Sequence, residues 1–239
     1  VFPKQYRDNL VSAGFYYNAN YEKEKNEDAY QKSVNLYLKF LEEFPLDEKV
    51  GEVAFYLAQL EEDKMLYVDA ATHFRLSWQH NFKEKESIYR YLYCKYKLWQ
   101  AGGLAASELV DDLKNYINNY PTTDRSTAVL IVLVDILIKE NRQEEMLQHV
   151  EDAVKNQTNQ DITKLLDFCE ANFDVIKDKG RLAKIFEMGY VNNNNKHYLE
   201  LKHYAMFIDA KQKEDNNELE QAALVYREII NDHNKTSFE

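Results

Sequence analysis

The chain has 239 residues, with 41 acidic against 30 basic side chains and a formal net charge of −11. A surface of that sign repels phosphate, so no nucleic-acid partner is expected. Only 6 glycines and 3 prolines leave too few turns for a sandwich or barrel, and the long stretches between these breakers predict an all-α fold.

Helical punctuation divides the chain into about six antiparallel helix pairs with a period of 37–39 residues. The expected repeats are 4–45, 46–82, 83–121, 122–158, 159–196 and 197–239, within a single helical repeat domain over 1–239. The first pair turns around Glu22 to Asn26, the second near Lys64-Met65-Leu66, and the third at Gly102-Gly103. The fourth turns at Asn141 and the sixth near Asn216-Asn217. In the fifth, Gly180 is expected to stop the first helix. The run Asn192 to Asn195 predicts a loop, because asparagine competes for its own backbone.

Two segments recur at a fixed shift. Phe40-Leu41-Glu42-Glu43-Phe44-Pro45 returns 76 residues later as Tyr116-Ile117-Asn118-Asn119-Tyr120-Pro121. Met65 to Phe74 aligns with Asn141 to Val150 at the same shift, placing His73 on His149. Ala70 and Phe74 recur two shifts on as Ala222 and Tyr226. Fixed-period self-similarity marks a repeat architecture in which each unit packs on its neighbours. In the second pair, Val53, Ala54, Leu57, Ala58 and Leu60 form one apolar stripe, and Val68, Ala70, Ala71 and Phe74 form the next. Neither stripe can be hidden by its own helix.

Leu57-Ala58, then Ala70, Phe74 and a proline closing neighbouring units, resemble the tetratricopeptide repeat. Ala210, Ala222 and Tyr226 resemble it again in the last pair. The period exceeds that family's usual 34 residues, and Lys64 stands where its turn glycine is expected. The resemblance implies a right-handed α-solenoid. The aromatic-proline and "Y-x-L-A" pattern of Phe44-Pro45 and Phe55 to Ala58 is also similar to repeats of bacterial cell-envelope scaffolds, which implies a periplasmic setting, with the cytoplasm as the alternative. In the family, the first helix of each pair lines a concave groove that holds protein segments. Carried over by position, that groove comprises Glu52, Phe55, Gln59 and Glu62, then Tyr91, Cys94 and Leu98, then Ala128, Ile131, Asp135 and Lys139. It continues through Leu166, Cys169 and Phe173 to Tyr204, Phe207 and Lys211. These positions lack a concentrated set of lysine, arginine and asparagine, so no carboxylate-clamp peptide is expected.

No catalytic or nucleotide-binding motif is present, and none of the six histidines has metal-ligand spacing. The carboxylates of Glu61-Glu62-Asp63 and Asp111-Asp112 are expected to be solvated. Cys94 and Cys169 are expected to be separate, partly buried thiols. The longest apolar run, Ala128 to Val134, is cut by Asp135, far short of the roughly 20 residues of a membrane span, so no membrane insertion is expected. The chain opens on Val1 and stops where another repeat would begin, so a fragment of a longer array is expected. The reading is a non-catalytic, cofactor-free scaffold that binds another protein or a peptide segment. A self-assembling or spacer module, or the regulatory solenoid of a larger protein, stays open beside it.

Overall fold

The structure, a computed structural model, describes residues 4–121, 125–156 and 162–236. The expected repeat boundaries at 122 and 158–159 lie outside the described residues. Twelve helices and no strands occur among those described. They are α1 (Lys4–Glu24), α2 (Glu27–Glu43), α3 (Val50–Asp63), α4 (Tyr67–Gln79), α5 (Glu84–Gln100) and α6 (Ala106–Asn119). Then follow α7 (Ser126–Lys139), α8 (Gln143–Asn156), α9 (Ile162–Ala171), α10 (Lys179–Asn193), α11 (Lys196–Asp215) and α12 (Leu219–Thr236). The chain forms two compact units, residues 1–112 and 113–239.

The register shows in the turns. Met65, Asn141 and Asn217, spaced by the same 76 residues as the sequence repeat, are all left-handed, with φ of 59°, 56° and 63°. At each, the next residue's amide reaches back five positions, Leu66 to Glu61, Arg142 to Leu137 and Glu218 to Lys213, at 2.8, 2.8 and 2.7 Å. That is the helix-ending motif that satisfies otherwise orphaned carbonyls. The left-handed residue thus follows Lys64 rather than occupying it. The α3–α4, α7–α8 and α11–α12 hairpins share this turn.

In the first unit, helices α1 to α5 each pack on the next, and α1 also touches α3. Asn26 caps α2, accepting from the Asp28 and Ala29 amides at 2.9 and 3.3 Å, and Glu27 and Asp28 favour its positive end. Gly14 lets α1 approach α2, since a Cβ there would lie 2.5 Å from the Tyr37 ring. Ser33 Oγ donates to the Gly14 carbonyl at 3.0 Å across the same approach. Further along, Ala58 and Ala70 are fully buried with Phe55, Phe74 and Cys94, so small residues again set the helix separation and aromatic rings fill beside them. Val68 departs from its expected stripe and is 64% exposed. It sits in the first turn of α4, two residues before Ala70, and so turns away from the buried face.

In the second unit α7 is apolar almost all round and buried along most of its length, against α8 and α9. Gly180 does not stop the first helix of the fifth pair. That helix, α9, already ends at Ala171, and Gly180 lies in the first turn of α10, where Asp178 accepts from the Arg181 amide at 2.9 Å. In the connection between them Phe173 and Ile176 are buried, and the buried Lys179 ammonium donates to both their carbonyls. The asparagine run is partly helical: α10 continues to Asn193, Asn194 is left-handed, and Asn195 caps α11 by accepting from the His197 amide at 3.1 Å. The same backbone-seeking side chain ends one helix and starts the next.

The two histidines related by the repeat carry different environments. His73 Nδ1 lies 2.7 Å from buried Glu61, while burial and the nearby Lys114 push His149 below the usual imidazole range. At His149 the unfolded chain therefore binds more proton than the native one just below pH 6.5, and this group's contribution to stability falls as pH drops through that window. His149→Gln should flatten the acid side of the melting-temperature profile between about pH 7 and 5, measured by thermal denaturation. Gly14→Ala should lower stability by about 1–3 kcal/mol in urea titrations, because displacing a fully buried ring outweighs the roughly 1 kcal/mol of helix propensity gained.

Candidate functional site

The first helices of the first unit open onto two adjoining hollows. The larger, of about 390 Å³, is lined by Asn18, Tyr21 and Glu22 of α1 and Lys25 just after it, by Gln59, Leu60, Glu62 and Asp63 of α3, by Tyr67, and by Arg90 and Tyr93 of α5. The smaller, of about 230 Å³, lies between Phe15, Asn18, Ala19 and Glu22 of α1 and Glu52 and Tyr56 of α3. Asn18 and Glu22 belong to both.

Ion pairs brace this surface. Lys25 pairs with Asp63 at 3.1 Å, and the Tyr21 hydroxyl donates to the same carboxylate. These two partners hold Asp63 below the usual carboxylate range, Tyr21 contributing first. Arg90 spans Glu62 on α3 at 2.9 Å and Glu86 on its own helix at 2.7 Å. Lys64 reaches Glu27 at 2.6 Å and lies over the Tyr30 ring. Glu61 is buried against His73, and burial raises its carboxyl. The acidic run 61–63 is therefore not a solvated face: each carboxylate ties α3 to another helix or to the loop after α1. Asp112 likewise accepts from the Tyr91 hydroxyl at 2.9 Å and pairs with Lys95.

Of the residues expected to line a groove, Glu52, Gln59 and Glu62 lie on these hollows. Phe55 does not. It is 1% exposed, ringed by Phe74, Tyr56 and Phe82, because the face of α3 that carries it packs on α4. Tyr91 is half-buried against Trp78 and turned toward α6, and Leu98 is half-buried. Cys94 and Cys169 are fully buried rather than partly so, and burial pushes both thiols up to about 12. In the second unit Ala128 is exposed, Ile131 is half-buried, Asp135 pairs with Lys139 at 2.8 Å, and Leu166 is buried. Phe173 is also buried, its ring 5.0 Å from that of Tyr204. Tyr204, Phe207 and Lys211 are exposed on α11.

Asn18, Tyr21, Glu22 and Lys25 were not marked by the sequence, although the spacing of the first three places them on one face of α1, with Lys25 just past its end. A polar stripe of that kind looks like any solvated helix face until a second helix is set beside it. Among the described residues, no three of histidine, cysteine, aspartate and glutamate are grouped to hold a metal ion, and no helix is long and apolar enough to cross a membrane.

Neither a protein-family model nor a curated protein sequence matches this chain.

Phe55→Ala should act on stability, lowering it by about 3–5 kcal/mol in denaturant titrations. An unchanged denaturation midpoint would contradict the core position of this ring.

Proposed function

We propose that the chain is a non-catalytic, tetratricopeptide-like helical-repeat scaffold whose first-helix face binds a segment of another protein. The observation that carries this reading is the pair of open hollows along α1, α3 and α5, onto which Glu52, Gln59 and Glu62 converge. Such a face offers what peptide recognition uses: a concave, already formed surface with tyrosines at its rim and polar groups held in place by neighbouring ion pairs. The bracing reduces the ordering cost that a partner would otherwise meet. The first-helix residues are diverse where they face outward, while the core behind them repeats. Variation of that sort on a constant scaffold suits recognition rather than packing.

A second reading, association of copies of the chain, is favoured by α12, where Leu219, Leu224 and Ile230 are each about 60% exposed.

Both readings can be tested with a photo-crosslinking residue placed at Gln59 or at Leu224 in cells that produce the protein. An adduct with a different protein is expected from Gln59 and none from Leu224. An adduct of twice the chain mass, formed only from Leu224, would transfer the role to self-assembly. No adduct from Gln59 would overturn the binding face.

A further inference from the structure

The α11–α12 hairpin repeats more of the α3–α4 hairpin than its turn. Phe55, Ala58, Ala70, Ala71 and Phe74 form a buried cluster on α3 and α4, closed by Cys94 of α5. Two 76-residue shifts on, the same five positions hold Phe207, Ala210, Ala222, Ala223 and Tyr226. Ala210 and Ala222 are buried as their counterparts are, so small residues again sit between the paired helices. The others are uncovered: Phe207 is 41% exposed, Ala223 is exposed and Tyr226 is half-buried.

In the first unit these positions are covered by α5. Its Tyr93 ring meets that of Tyr67 at 6.4 Å, its Ser87 hydroxyl meets that of Ser77 at 3.1 Å, and its Tyr91 ring meets Trp78 at 6.3 Å. The counterparts of Tyr67, Ser77 and Trp78 on α12 are Leu219, Ile229 and Ile230. The face that receives α5 on α4 is therefore apolar at all three positions on α12, where Leu219 and Ile230 are 60% and 59% exposed. With Ala223 and Tyr226 they form one stripe at helical spacing. Leu224 corresponds to solvent-facing Thr72 and lies outside it. A charged contact has its counterpart too. Arg90 of α5 pairs with Glu62 at 2.9 Å and lies over the Phe74 ring at 5.8 Å. The matching residues are Glu214 and Tyr226, where exposed Glu214 accepts from the Tyr226 hydroxyl at 3.0 Å through Oε2 and keeps acceptor capacity for a second donor. Lys211 lies over the Phe207 ring at 5.3 Å, as Lys83 lies over Phe55 at 4.5 Å. The backbone does not return over this face. After α4 ends at Gln79 the chain turns at left-handed Asn81 into α5, whereas α12 continues along its own axis to Thr236, past the counterpart of that turn.

We propose that this face of α11 and α12 is a seat for an amphipathic helix of another protein, bearing an arginine followed four residues later by a small residue, as Arg90 and Cys94 are spaced on α5. It is a second surface, argued independently of the hollows along α1, α3 and α5. A helix is the occupant because the uncovered positions are those that α5 fills on α4, and an apolar stripe of this spacing takes a helix laid along it. Arginine suits the polar contact because its planar guanidinium can pair with Glu214 while resting on the Tyr226 ring. A chain of net charge −11 repels its own copies and draws in a basic segment.

The test uses α5 itself as the stand-in helix. An end-blocked, fluorescein-labelled peptide of residues 82–100, carrying Cys94→Ala against oxidation, is titrated with the full chain and followed by anisotropy. Saturable binding is expected. Ala223→Arg sets a long side chain across the seat from an exposed position and should weaken binding at least about tenfold. Glu214→Arg should weaken it severalfold, and a peptide with Arg90→Glu should recover that loss, a coupling that apolar adhesion alone would not produce. Both variants change exposed residues and should melt with the wild type; if one melts early, the other carries the test. No binding of the peptide, or full affinity in either folded variant, would overturn the proposal. Full affinity in Ala223→Arg would mean that the peptide had displaced α5 from its own place. A concentration-dependent dimer in sedimentation, abolished by Ala223→Arg, would give the face to a second copy and overturn the partner helix.

Discussion

Every second hairpin of this chain depends on one backbone event, the left-handed residue that follows α3, α7 and α11. A helix whose final carbonyls are unpaired must end them on something, and a single residue with positive φ lets the following amides turn back onto them. It costs about 1 kcal/mol or more when the residue is not glycine, and here it is met twice by asparagine and once by methionine. Because the turn is this short, the next helix is held antiparallel and close. Closeness then dictates small residues at Ala58 and Ala70, and small residues leave room that only an aromatic ring such as Phe74 fills. The repeat is thus a chain of consequences starting from the turn, and its 76-residue spacing is that of two such pairs.

That chain explains what could be read from the sequence. The all-α class, the turns at 22–26, 64–66, 102–103, 141 and 216–217, and the buried alanine–alanine–phenylalanine set all follow from local chemistry with a period. The fifth pair broke the rule. There, Gly180 carries the signal of a helix end but stands at a helix start, since glycine is tolerated at both, and α9 ends ahead of the buried pair Phe173 and Ile176, whose carbonyls accept from the Lys179 ammonium. Nothing local to Gly180 announces that arrangement.

The site was less legible, for a different reason. Glu52, Gln59 and Glu62 could be reached by counting along one helix. Phe55, three residues from Glu52, could not be told from them, because whether a ring faces a neighbour or the solvent depends on how the next helix is rotated. The ion pairs are more distant still. Asp63 finds Lys25, and Arg90 finds Glu62, across helices whose alignment the sequence does not state. Composition alone made the acidic run at 61–63 look like a wetted end, yet it is the part of α3 most fully engaged by other elements. Exposed pairs of this kind contribute little stability, about 0.2–1 kcal/mol each. Their effect here is on placement: they fix which oxygens of the hollow are occupied and which remain free.

The two cysteines have a consequence of another sort. Only a thiolate attacks an alkylating reagent at a useful rate, and both sulfurs are shut from solvent and held protonated. One lies in each compact unit. Each is therefore a silent clock that starts only when its own surroundings open. The rate at which a thiol reagent marks Cys94 against Cys169 separates the breathing of one half of the chain from that of the other, with no label added and no residue changed.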